Sequence, residues 1–161
     1  PRLRRPSSSL PPLLNEVVVA RIENQVNATR IMLARPATGR AERQIMVQIF
    51  LHRVYDHGPG IEGQPVLVDR LWPRGISHAE LGEDTPWLKD IAPSDALREW
   101  FGHDPAKWPE FRRRYAAELD ANPGPVAQLR AMIAEGPVTL LFGAHDTQHN
   151  NAVALRDYLL Q

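Results

Sequence analysis

The chain has 161 residues, 43% of them hydrophobic and 24% charged, which is enough for one ordinary domain with one core. No stretch approaches the roughly 20 apolar residues of a membrane-spanning helix, so an integral helical membrane protein is excluded. With no cysteine there is no disulfide framework, thiolate metal site or cysteine nucleophile, which suits a reducing cytoplasm.

The formal charge of zero hides an asymmetry. Residues 1–45 carry eight arginines and three glutamates, whereas 46–161 carry eleven Lys+Arg against sixteen Asp+Glu, a formal charge of −5. The opening "PRLRRPSSSLPPLL" is rich in Arg, Pro and Ser, and the stretch to Arg43 keeps no sustained helical or strand period apart from "VVVA". Residues 1–45 read as a disordered basic arm or an upstream extension, with Met46 standing where a natural initiator could. An apolar secretory segment is missing from this stretch. The acidic balance of 46–161 predicts no nucleic-acid binding by that part.

From Met46, "MVQIFLHRVYD" predicts a strand near 47–55, "HGPGIEG" a turn, and "PVLVDRL" a second strand near 65–71. Nine residues are short for a parallel crossover, so these two strands are expected to be antiparallel neighbours. Ser77 and Glu80 have capping-box spacing, and Ser94 or Asp95 precedes a short helix in "APSDALREWF". Asp104 followed by Pro105 predicts the start of a helix through "PAKWPEFRRRYAAELDAN", with Trp108, Phe111, Tyr115 and Leu119 as its core stripe. Another helix near 125–135 ends at Gly136, "PVTLLFG" reads as a buried strand, and a last helix spans about 150–160. The order predicts an α/β fold. It has a small mixed sheet of three to four strands with helices packed on it, a Rossmann-like half-unit with a helical insertion between the second and third strands. Those two strands should run parallel, with their carboxyl ends on one edge, where open α/β sheets bind ligands.

"VLVDRLWPRG" puts Asp69, Arg70, Trp72 and Arg74 at that edge, and the third strand puts His145 and Asp146 beside them. Asn150 or Asn151 opens the last helix there. Two arginines facing such an edge suit a phosphate or carboxylate, with Arg70 and Arg74 as clamps and Trp72, Asn150 and Asn151 as further contacts. Asp69 is the candidate base, with His145 or Asp146 as its polar partner. His145 and His149 lack metal-site context, and no HExxH, P-loop, G-x-S-x-G or G-x-G-x-x-G motif occurs, so neither metal nor cofactor is expected. "FRRRY" sits on a helix with glutamates nearby and reads as a solvated face. The resulting expectation is a domain that binds an anionic small molecule, with an enzyme and a non-catalytic binding or regulatory module acting through protein contacts as its two forms.

"RVYD", "VLVDRLWPRG", "WLKDIAPSDALREWFGHDP", "FRRRYAAEL" and "VTLLFGAHDTQHNNAVALRDYL" occur in an order and spacing that resemble the YeaO-like family, domain of unknown function 488. The resemblance covers about residues 49–160. It implies a compact cytoplasmic α/β domain, widespread in bacteria, without an assigned activity. Its motif positions add Arg53, Trp87, Lys89, Ser94 and Arg98 to the residues above, of which Lys89, Ser94 and Arg98 are further candidate ligand contacts. Phe142 stands where the family often has tyrosine, and His145 where it often has a basic residue. Distant relatives carry cysteines after the last strand, and thiol chemistry does not transfer to a chain without them.

Overall fold

The computed structural model describes residues 22–25, 28–32, 46–57 and 60–161. Five strands, β1 (Ile22–Gln25), β2 (Ala28–Met32), β3 (Met46–Arg53), β4 (Gln64–Leu67) and β5 (Val138–Phe142), form one sheet in the order β1-β2-β3-β5-β4. The helices are α1 (His78–Leu81), α2 (Asp95–Phe101), α3 (Trp108–Ala121), α4 (Pro123–Glu135) and α5 (Asn151–Leu159). The first four lie in sequence between β4 and β5, the expected insertion. The fold is mixed α/β, with β3, β5 and β4 parallel and β1 and β2 antiparallel to their neighbours. Five strands exceed the three or four expected. β1 and β2 lie inside the segment read as an arm, and the remainder of 1–45 lies outside the described residues.

The expectation that the first two strands of the acidic part are antiparallel neighbours is overturned. β5 inserts between them, aligning Leu140 with Leu51 on β3 and with Val66 on β4, and all three strands point the same way. Among the described residues of the return, 54–57 and 60–63, none is helical. Extended chain at about 3.4 Å per residue is long enough to retrace a short strand. The buried Thr139 hydroxyl holds this strap, donating to the Glu62 carbonyl at 2.7 Å and accepting from the Glu62 N–H at 2.9 Å. Gly63 closes the strap at φ 68°, where a Cβ would stand 1.9 Å from the Pro137 carbonyl oxygen. The last strand in sequence is thus a central one, and all five of its residues are buried, as parallel strands covered on both faces require.

Alternate residues of the pleat separate the faces. Ile49, Val66, Val68, Val138, Leu140 and Phe142 join Leu97, Phe101, Phe111, Tyr115, Leu129 and Leu155 of the helices in one core. Phe101 stacks on Phe111 with centroids 4.3 Å apart, and the buried Tyr115 hydroxyl donates to the Ile91 carbonyl at 2.7 Å. The stripe read on α3 is therefore real, although the chain enters it through a short 3₁₀ turn (Pro105–Lys107) capped by Asp104. On the outer side of β4, Leu67 bonds through its N–H to the Pro86 carbonyl and through its carbonyl to the Leu88 N–H, both at 2.9 Å. That single bridge to Trp87 covers the carboxyl end of the edge.

Candidate functional site

The carboxyl ends of β3, β5 and β4 open into a cavity of about 590 Å³. It is walled by the loop after β4, the loop after β5, the start of α5 and the region around α2 and α3. Tyr55, two residues beyond β3, donates its hydroxyl to the Arg74 carbonyl at 3.1 Å, so the loop leaving β4 reaches over β5 towards β3. Trp72 stiffens that loop. Its indole N–H donates to the Ile76 carbonyl at 2.7 Å, and its ring stacks on His78 and meets the edge of Trp87.

Asp69 forms the floor. Its Oδ2 accepts from the Gly143 N–H at 2.7 Å and its Oδ1 from the Asn151 amide at 3.0 Å, while its own carbonyl accepts from the Trp87 indole at 2.7 Å. One carboxylate thus ties β4 to the end of β5 and the start of α5. A Cβ at Gly143 would stand 3.2 Å from Asp69 Oδ2, so the small residue allows this close approach. Burial raises the Asp69 pKa above the ordinary aspartate value, opposed by the Asn151 and Gly143 hydrogen bonds and by the field of His103.

The structure brings Asp69, Arg70, Trp72, Arg74, Arg98, His145, Asp146, Asn150 and Asn151 together around this cavity. Their roles differ. Arg70 Nε and Arg98 Nη2 each approach Asp95 Oδ1 at 3.3 Å, so two guanidiniums share one carboxylate at the rim. Arg74 is exposed and has no ion pair among the described residues. His145 Nδ1 lies 3.2 Å from Arg53 Nη2 and must be the acceptor, because guanidinium only donates. Asp146 is turned back on its own loop. Its Oδ1 accepts from the Gln148 and His149 N–H groups at 2.8 and 2.9 Å, and its Oδ2 faces His149 Nδ1 at 2.8 Å. Those backbone bonds, and then the imidazole, hold its carboxyl below the ordinary range. Asn150 is the N-cap of α5, accepting from Val153 N–H at 3.0 Å, and Asn151 is the residue that reaches Asp69.

Lys89 and Ser94 fall outside the cavity. Lys89 Nζ stands 6.0 Å from the Trp87 ring centroid. Ser94 caps α2 by accepting from Leu97 N–H at 3.2 Å, and it donates through both N–H and hydroxyl to the Glu118 carboxylate, next to a separate hollow of about 300 Å³. Ser94 thus caps α2 and seats it on α3, and Lys89 opens a separate 3₁₀ turn (Lys89–Ile91). Sequence reasoning missed His103, Tyr55, Pro93, Phe101 and Phe111 as lining residues. Gly102 and His103 both take left-handed backbone, at φ 53° and 57°. Nothing in the sequence marks His103 as a second left-handed residue after Gly102. Among the described residues no three His, Asp or Glu side chains converge as a metal centre requires, and no helix is long and apolar enough to cross a membrane.

This sheet, with its arginine-lined carboxyl edge, defines a small α/β domain of the kind the motifs resemble. Residues 48–161 match the family model DUF488-N3i, described as the inactive DUF488-N3 subclade, and the chain belongs to that family. It is similar to the uncharacterized protein YeaO of Escherichia coli, at 40% identity over 107 residues, covering 66% of this chain and 92% of that protein. It is also similar to the uncharacterized protein Rv3073c of Mycobacterium tuberculosis, at 37% identity over 107 residues, covering 66% and 89%. No solved structure matches.

Proposed function

We propose that the domain is a cytoplasmic binding module that holds an anionic small molecule in the sheet-edge cavity and does not turn it over. The observation that carries this reading is the pairing pattern of the cavity's charges. Arg70, Arg74 and Arg98 line it, and Arg74 alone of the three has no carboxylate partner among the described residues. Both oxygens of Asp69 and both of Asp146 already accept hydrogen bonds, and His145 Nδ1 is turned to Arg53, which leaves the expected acid and base groups engaged in holding loops. The description of the matched subclade as inactive supports the non-catalytic form. The formal charge of −5 on residues 46–161 argues for a small anion over a nucleic-acid polyanion.

The test is thermal unfolding in sulfate against chloride at matched ionic strength, for the parent and for Arg74→Met. A bound anion stabilises the folded state by mass action. Sulfate should raise the parent's Tm by more than that of Arg74→Met, which keeps only the general stabilisation by an excluded salt, with the two equally stable in chloride. Equal gains in parent and variant would overturn the proposal.

A further inference from the structure

The size and lining of the cavity say more about its occupant than its charge does. At about 30 Å³ per water, the cavity's roughly 590 Å³ would hold on the order of twenty waters, whereas an inorganic oxyanion has only five heavy atoms. The volume falls within the roughly 300–1,000 Å³ range of sites for organic ligands. The lining is also divided. Arg74 belongs to the loop tied to Tyr55, beyond the end of β3. The apolar wall belongs to the helical side, where Pro93, Phe101 and Phe111 border the cavity, and Leu71, 59% exposed, stands at its rim.

Leu71 and Arg74 both stand exposed on the loop that follows β4, and both line the cavity. A single molecule with an anionic group and an apolar body would contact the two together. Arg74 would take the anion, and the body would cover Leu71 and lie against the prolyl and phenyl wall. His103, brought into the lining by its left-handed backbone and lying within the field of Asp69, stands beside that wall.

We propose, resting on the anion-binding reading above, that the ligand is an organic anion, a phosphate or carboxylate carried on an aromatic or heteroaromatic body. Leu71 and the Pro93–Phe101 wall form the subsite for that body. Nucleotides and aryl acids share this chemistry.

The experiment compares calorimetric affinities of the whole chain for inorganic phosphate, phenyl phosphate, adenosine 5′-monophosphate and benzoate, with adenosine as the uncharged control. The expected result is that one of the organic anions binds about tenfold tighter than phosphate, the gain that partial burial of a ring supplies, and that adenosine alone binds weakly. The leading probe identifies the source, nucleotide or aryl acid. In Leu71→Ser, an exposed position where folding is not at stake, the advantage over phosphate should shrink while phosphate affinity holds. If phosphate binds as tightly as every organic anion, the body subsite is refuted and anion binding stands. If adenosine binds as tightly as its monophosphate, the anionic half of the proposal is refuted. If no anion binds, the anion-binding reading fails, and this proposal with it.

Discussion

Arg70 and Arg74 leave β4 on the same loop, four residues apart, and meet opposite surroundings. Arg70 lies back towards α2, where it shares Asp95 with Arg98, and its side chain is 39% exposed. Arg74 is carried across β5 on a loop pinned by the Tyr55 hydroxyl and the Trp72 indole, to a place with no carboxylate partner among the described residues. The loop's backbone is well anchored, while the side chain at its tip is exposed and makes no ion pair among the described residues. Such an arrangement suits the proposed role of presenting a charge to a ligand. The same division separates Asp69 and Asp146, whose oxygens are all engaged, from the cationic rim above them.

The largest effect should come from the anchored side. Asp69→Ala strands the Gly143 N–H and the Asn151 amide near the floor, and the expected loss is about 2–4 kcal/mol of unfolding free energy in urea. Arg74→Met should stay within about 0.5 kcal/mol of the parent in the same titration. Were Arg74→Met the more damaging of the two, the division between anchoring and presenting residues would be the wrong one.

A smaller change probes the rim from the other direction. Asp95→Asn releases the guanidiniums of Arg70 and Arg98, so sulfate affinity should rise a few-fold, while stability moves by no more than about 1 kcal/mol because these groups are largely exposed. Unchanged affinity would make the three-residue cluster a clasp between the β4 loop and α2, with Arg74 left as the cavity's binding cation.

Much of this was legible in the sequence because it is local. The β4 and β5 runs, the Ser77–Glu80 capping box, the Ser94 cap of α2 and the apolar stripe of α3 all follow from neighbouring residues, and all are present. Placing Asp69, Arg70, Arg74, His145 and Asn151 on one edge needed only that β4 and β5 run parallel. What escaped depends on distant partners. The described residues of the strap carry no periodic signal, and the hydroxyl that holds it, Thr139, is 77 residues away from Glu62 in sequence. The closure of the strap at Pro137 and the insertion of β5 between β3 and β4 were invisible for the same reason. The motif suggests Ser94 as a ligand contact, but its partner Glu118 lies on another helix. His103 escaped because a left-handed residue other than glycine leaves no mark in the sequence.

The smallest effect expected is in pH, and it returns to Asp69. Burial raises this carboxyl's pKa, so the folded chain keeps its proton at a pH where the unfolded chain has released it. Below the unfolded value of about 3.9 both states hold the proton, and the linked stability is at its greatest. As pH rises through the raised folded value the native state binds the more protons, the slope of unfolding free energy with pH is negative, and that stability is lost. The same ionisation places a negative charge on the floor of a cavity proposed to hold an anion. Sulfate keeps its charge throughout this window, so its affinity for the parent should fall as pH climbs from about 3.9 through the raised value, by the repulsion of like charges. Asp69→Asn retains an acceptor for Gly143 and has no proton to lose, so its sulfate affinity should stay flat over the same range. A variant that followed the parent's curve would move the titrating group elsewhere in the cavity, and a flat parent would show that the ligand's anionic end sits too far from Asp69 to feel its charge.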